Sequence, residues 1–165
     1  QHAYSSYVNT GLQQSLAYSP EIHREYPLYL SLGQARISGI LDLLFRDPEH
    51  QTWMVLDYKT NEIGAEQIEE EIRRHGYTVQ MQIYALAVSR LFQNDQVNSI
   101  LFFTFPGCCY EAIDLAPPVL KRFEQQLLTA LQQLTQNPLE MTNEENFCES
   151  CDYRRAGMCP GRGKH

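Results

Sequence analysis

The sequence predicts a mixed β-sheet flanked by helices, an α/β or α+β domain. Three observations predict it. Residues 25 to 59 hold three strand-like runs separated by turn signals. Residues 78 to 92 and 118 to 136 carry apolar residues at helical spacing. Between those helices lies a short buried run, "SILFFTF", at 99 to 105.

In chain order, residues 5 to 18 can form a helix before Pro20. "EYPLYLSL", 25 to 32, alternates apolar and polar residues as a strand does. Gly33 and Gln34 give a turn, and "ARISGILDLLF", 35 to 45, a second strand. "RDPEHQ", 46 to 51, is a loop of turn-formers, and "TWMVLDYK" a third strand, completing an antiparallel meander. Gly64 and "AEQIEEEI" open a helical segment, with acids suited to a helix N-terminus. Gly76 interrupts it. The next helix, 78 to 92, is expected to align Val79, Ile83, Leu86 (or Ala87) and Arg90. After "SILFFTF", Pro106 and Gly107 end the strand and "YEAIDL" reads as a short edge strand. Pro117 and Pro118 start a last helix with Leu120, Phe123, Leu127, Leu131 and Leu134 on one face.

The 165 residues suffice for one domain with a proper core, and 43% hydrophobic with 20% charged is ordinary globular composition. No apolar run is long enough to span a bilayer, so no membrane role is expected. The start lacks a basic region followed by an apolar one, so it is no signal peptide. It also lacks Met, and the chain reads as a piece of something longer. The net charge of −7 argues against coating nucleic acid by bulk electrostatics. A local basic channel is compatible with it.

The chemistry concentrates at "GILDLLF" and "VLDYKT". Asp42 sits among Leu41, Leu43 and Leu44, a poor place for a charge. Asp57 lies near the end of the third strand, two residues before Lys59, so their side chains share a face while Tyr58 points to the other. A hairpin loop near 47 to 51 brings Asp42 opposite the Asp57–Lys59 segment. Two carboxylates that close repel each other unless a cation neutralises them. A hard divalent ion such as Mg²⁺ takes oxygen ligands and keeps positions for water and phosphate. Lys59 would stabilise developing charge or orient the attacking water. The plainer alternative is an Asp57–Lys59 salt bridge with Asp42 capping a turn.

At these residues the sequence resembles the RecB-type branch of the PD-(D/E)XK nucleases. The resemblance rests on "SGILDLLF", "VLDYKT" and the Gln-x-x-x-Tyr of "VQMQIYALAV" at Gln80 and Tyr84, with Glu25 fitting the acid that opens the first strand. It implies a restriction-endonuclease-like core and cleavage of DNA with Mg²⁺ or Mn²⁺. Asp42 and Asp57 would bind metal, with the backbone carbonyl of Tyr58 and Glu25 as further ligands, and Lys59 would be catalytic. Gln80 and Tyr84 would support the site and contact DNA. The branch usually places a metal-binding His on a helix before the first strand. Here only His2 and His23 precede Glu25, which leaves that ligand unassigned.

"CESCDYRRAGMC" places Cys148, Cys151 and Cys159 in a pattern suited to thiolate ligation. Some nucleases of this branch hold a 4Fe–4S cluster with three such Cys and one N-terminal Cys. No Cys precedes Cys108, so the fourth ligand would lie outside this chain unless Cys108 or Cys109, which read more simply as ordinary thiols ending a strand, substitutes. A zinc site, a relict site, or a chance or disulfide arrangement are the other readings. The expected division is a core at 1 to 140 and a Cys-containing tail at 141 to 165.

The leading expectation is an exonuclease module of a helicase-nuclease in DNA double-strand-break repair, in the cytoplasm and associated with the nucleoid. Its partners would be DNA and a helicase domain, on the same chain or on a partner. Arg73, Arg74, Lys121, Arg122, Arg154 and Arg155 are candidates for a basic track, against the alternative of a solvated face. The competing expectation is a weak or inactive nuclease-fold module for DNA-end binding or subunit docking. A Cys-rich zinc adaptor would leave residues 25 to 90 unexplained.

Overall fold

A computed structural model describes residues 11–93, 96–105, 107–110, 113–136, 151, 155 and 156, with backbone alone at 108–110 and 135. The elements are α1 Leu12–Tyr18, β1 Ile22–Leu32, β2 Ala35–Arg46, β3 Trp53–Lys59, a 3₁₀ turn Ala65–Gln67, α2 Ile68–His75, α3 Tyr77–Phe92, β4 Val97–Phe103, β5 Cys108–Tyr110 and α4 Pro117–Gln136. The chain divides into two compact units, Gln1–Leu128 and Thr129–His165. The sheet and α1 to α3 belong to the first. The boundary expected at 140/141 lies outside the described residues.

The five strands stand in sequence order, β1-β2-β3-β4-β5. The first three are antiparallel, β3 and β4 are parallel, and β5 returns antiparallel on β4. The sheet is therefore mixed, as expected. Gly33, with φ 59°, occupies the first place of the two-residue β1–β2 turn, which a residue with a Cβ would strain. The parallel β3–β4 pair requires a crossover, and the turn, α2 and α3 supply it.

One layer of the core lies under α1, where Leu12 packs with Leu43, Phe45, Leu56, Ile100 and Phe102. The other lies under α3, which packs against β1, β3 and β4. Trp53 stacks on Phe92 with centroids 4.0 Å apart, pinning the C-terminal end of α3 to the start of β3. The N-terminal end of α3 meets the end of β3 at Lys59. Lengths agree: six strand steps span about 20 Å, and twelve helical steps from Gln80 to Phe92 span about 18 Å. So α3 lies along β3, running the opposite way.

Several expectations need correction. β1 begins at Ile22, three residues before Glu25. The edge strand is Cys108–Tyr110, so of "YEAIDL" Tyr110 belongs to it, Ile113 to Leu115 are irregular, and residues 111 and 112 lie outside the described residues. β4 occupies 97 to 103 because Thr104 and Phe105 already turn. On α3 the expected Leu86 and Ala87 are buried, together with Met81, Ala85 and Val88, whereas Val79 is half exposed. Alanine is counted apolar too weakly to mark that face. The first helix is described from Leu12 only, and its expected beginning lies outside the described residues.

Candidate active site

β2 and β3 pair as far as Leu43↔Leu56. One step further along the same register, Asp42 faces Asp57. There the ladder stops and a side chain replaces it: Asp42 Oδ2 accepts the Tyr58 backbone N–H at 2.8 Å. Two-residue periodicity puts Asp57 and Lys59 on the face beneath α3, and Tyr58 on the other, edge-on to Phe102. Asp57 is 5% exposed and Lys59 9%, so both charges are withdrawn from bulk water. The main chain at Lys59 is fixed as well. Its carbonyl accepts from Thr104 N at 2.9 Å and Thr104 Oγ1 at 3.1 Å.

Gln80 and Tyr84, four residues apart, share one face of α3. Gln80 Oε1 accepts from Lys59 Nζ at 2.9 Å, while its Nε2 donates to Asp57 Oδ1 at 3.0 Å and to Tyr84 Oη at 2.9 Å. Tyr84 Oη donates on to the Ile40 carbonyl at 3.3 Å. Only an amide serves here: a carboxylate could not donate to Asp57, and an ammonium could not accept from Lys59. The opposite amide orientation would turn donors toward the lysine, so chemistry fixes the one observed.

Lys59 Nζ stands 2.7 Å from Asp57 Oδ2. Yet that buried oxygen has no aligned hydrogen-bond donor. The two observations agree if the contact is one of charge, made off the lone-pair direction. Burial pushes the Asp57 carboxyl above its ordinary range; Lys59 opposes the shift and the charge of Asp42 adds to it. Burial likewise raises the Tyr84 hydroxyl, against the hydrogen bond from Gln80.

An open pocket of about 590 Å³ is lined by Arg24, Glu25, Asp42 and Tyr58. Glu25 adopts left-handed backbone, φ 49°, at the β1 position that faces Asp42. Such a φ costs a non-glycine residue energy and is found disproportionately at working sites. A pocket of similar size, about 570 Å³, lies by Tyr18, Phe45 and Pro48 and contains none of the site residues.

A divalent cation fits part of what is here. Asp57 Oδ2, held by Lys59 Nζ at 2.7 Å, is an anionic oxygen close to the charge of a second carboxylate, Asp42. Among the described residues no three His, Cys, Asp or Glu side chains converge as a metal-binding group. Asp42 and Asp57 therefore form an incomplete set, which the Tyr58 carbonyl, water and phosphate would have to complete.

The remaining sequence candidates are less concentrated. Arg73 is engaged with Glu70 on the exposed side of α2, with contacts of 2.5 to 3.1 Å. Arg74, Lys121 and Arg122 are exposed. Arg155 is exposed, and its backbone N–H donates to the Cys151 carbonyl. Cys151 is a half-buried free thiol. Cys148, Cys159, Arg154 and His2 lie outside the described residues. His23 sits on β1 and pairs with Glu21 at 2.8 Å, away from the carboxylates of the site. Sequence reasoning missed Asn61, Glu71 and Tyr77. Asn61 donates to Glu71 Oε1 at 2.8 Å, and the Tyr77 ring lies against Lys59. The available signal for Tyr77 was its place three residues before Gln80, on the same helical face.

The sequence pattern of the PD-(D/E)XK nuclease superfamily matches residues 1–160. An ATP-dependent helicase/nuclease subunit of Lysinibacillus sphaericus (strain C3-41) is 32% identical over 106 residues, 58% of this chain and 8% of that protein. The RecB subunit of the RecBCD enzyme of Borreliella burgdorferi is 33% identical over 75 residues, 41% of this chain and 6% of that protein. The chain thus spans under a tenth of either relative. In fold it is similar to the crystal structure of SSO0001, with a TM-score of 0.51 at 17% identity, covering 98% of this chain and 71% of that one. Among the described residues no helix is long and apolar enough to cross a membrane.

Proposed function

Because this chain belongs to the PD-(D/E)XK nuclease superfamily, we propose that it hydrolyses DNA phosphodiester bonds with Mg²⁺ or Mn²⁺ held by Asp42 and Asp57. The carrying observation is the pair of carboxylates, Asp42 and Asp57, on adjoining strands in a buried site that also contains an amine. A divalent ion bound there lends Lewis-acid charge to the phosphate oxygens and lowers the pKa of a bound water. The chain's own residues do the rest. Asp42 and Asp57 supply anionic oxygens, joined by the Tyr58 carbonyl and, from the pocket rim, Glu25. Lys59 sets an ammonium beside the charge that develops on the phosphate. Gln80 bonds both Lys59 and Asp57, and Tyr84 orients Gln80. Gln80, Tyr84, Arg73 and Arg74 contact the DNA.

The two relatives support finer parts of the proposal. One is named as part of a helicase/nuclease, the other as part of the RecBCD enzyme. On that support the chain works beside a helicase, on its own chain or a partner's; the family resemblance adds the reading of an exonuclease module in double-strand-break repair at the nucleoid. The tail cysteines Cys148, Cys151 and Cys159 are proposed to hold a 4Fe–4S cluster, or zinc, with a fourth ligand from elsewhere.

The test is incubation of the chain with linear DNA and Mn²⁺ or Mg²⁺, beside an Asp57→Ala control. Loss of DNA in the first sample only is expected. The second reading is a silent module for DNA-end binding or subunit docking. It is favoured by the lack, among the described residues, of a third carboxylate or His donor converging on the pair. Equal, negligible loss in both samples, with retained DNA binding, would establish that reading instead.

A further inference from the structure

Lys59 has a third neighbour that the proposed chemistry does not use. Its Nζ lies 3.7 Å from the centroid of the Tyr77 ring. Tyr77 is the first residue of α3, directly after Gly76, whose φ of 65° ends α2 and redirects the chain. The ring is held on several sides. It stacks on His75 with centroids 5.4 Å apart and 19° between planes, and leans on Phe103 at 6.5 Å. Its hydroxyl reaches Asn61 Oδ1 at 3.4 Å. Glu71 Oε1 then joins His75 Nε2 at 3.1 Å to Asn61 Nδ2 at 2.8 Å. His75, Glu71 and Asn61 thus brace the ring that faces the amine.

The ammonium's other two contacts are Asp57 Oδ2 and Gln80 Oε1. A cation taking Asp57 competes with the ammonium for that oxygen, and two positive charges on one oxygen repel. The ring face differs in kind. It attracts an ammonium through its quadrupole. It offers no carboxylate or carbonyl oxygen of the sort a hard divalent ion selects. It can therefore keep the amine without drawing the metal.

We propose that Tyr77 is a positioning residue for Lys59, its ring holding the ammonium at the site while Asp57 binds a cation. The activity arm of the test rests on the nuclease reading; a second arm does not.

The first arm compares Tyr77→Phe and Tyr77→Leu in the whole chain, with thermal melts to check folding. Phe keeps the ring and is expected within about twofold of wild type, while Leu loses about tenfold in kcat with KM within about twofold. The second arm follows the Lys59 ε-methylene protons by NMR in the wild-type chain, with and without saturating Mg²⁺. Ring-current shielding upfield of ordinary lysine is expected in both states, and its disappearance in Tyr77→Leu. Wild-type shielding that vanishes on adding Mg²⁺ would overturn the inference. So would a folded Leu variant with unchanged kcat. A wild-type chain that cleaves nothing ends the nuclease reading, and the NMR arm then decides the inference alone. If the Leu variant fails to fold, the wild-type spectra and the Phe variant still decide it.

Discussion

Asp42 Oδ2 lies 2.8 Å from the backbone nitrogen of Tyr58, so a side chain of β2 closes the ladder where strand pairing with β3 ends. The carboxylate thus has a structural task besides the proposed metallic one, and substitutions can separate the two.

Asp42→Asn keeps an oxygen acceptor and removes the charge. It should melt within a few degrees of wild type and lose cleavage by about a hundredfold or more. Asp42→Ala removes both, leaving the Tyr58 N–H without this partner, and should cost a further 1–3 kcal/mol or so of stability. Urea denaturation beside a DNA-degradation assay distinguishes these outcomes.

Gln80 is the shared partner of Lys59 and Asp57, and both its amide protons and its carbonyl are engaged. Gln80→Glu should be worse than Gln80→Ala for stability at neutral pH. It places a third carboxylate against Asp57 and cannot donate to it. Gln80→Ala should lower stability by about 1–2 kcal/mol. Denaturant midpoints of the two variants at pH 7.5 give the ranking.

Asp57 sets a pH signature in the metal-free chain. Its folded pKa is raised, first by burial, above the usual 3.8. A group raised in the folded state contributes stability that is fully present below the unfolded pKa. That contribution is lost as pH rises through the folded pKa. Asp57→Asn, which can still accept from Gln80, should therefore match wild type in acid and melt higher above the raised pKa. The order should narrow when Mg²⁺ is added at ten times its Kd, because binding stabilises wild type alone by about 1.4 kcal/mol. Melts across pH 4 to 8 or so, with and without Mg²⁺, check both halves.

Asp47 has the opposite sign. Its Oδ1 accepts the backbone N–H groups of Glu49 at 3.0 Å and His50 at 2.6 Å in the β2–β3 loop. The His50 N–H is the largest cause of its lowered carboxyl pKa. A lowered group contributes stability above its unfolded pKa and loses it as pH falls through the folded one. Asp47→Ala should cost about 0.5–1 kcal/mol at neutral pH, water taking up part of these exposed bonds, and almost nothing in strong acid. Chemical denaturation at the two pH extremes reads the difference.

Local periodicity explains what was legible in the sequence. Asp57 and Lys59 share a face because strand side chains alternate, and Asp42 follows from the span of one hairpin loop. Gln80 and Tyr84 were marked by the resemblance to the Gln-x-x-x-Tyr motif, and a four-residue helical step explains why one face carries both. Glu25 shows where this stops. No pattern of neighbours announces a left-handed glutamate in a strand, because tertiary context imposes it. β5 has three residues, too few for a period to register. Tyr77 escaped because its partner, Lys59, is eighteen residues back by the numbering, and an aromatic beside a glycine reads first as a helix boundary.

The double grip of Thr104 on the Lys59 carbonyl bears on the order of events during synthesis. The two residues are 45 positions apart, and β3 pairs with β4, the strand just before Thr104, only after two helices and a turn have intervened. Parallel contacts of such separation form late, since a long loop must close first. A nascent chain ending soon after Lys59 already contains both carboxylates and the amine, but neither α3 nor the neighbouring strand that seats them. Any hydrolytic power of the kind proposed would arrive only when α3 and β4 have both been made, so the unfinished polypeptide is spared a working blade.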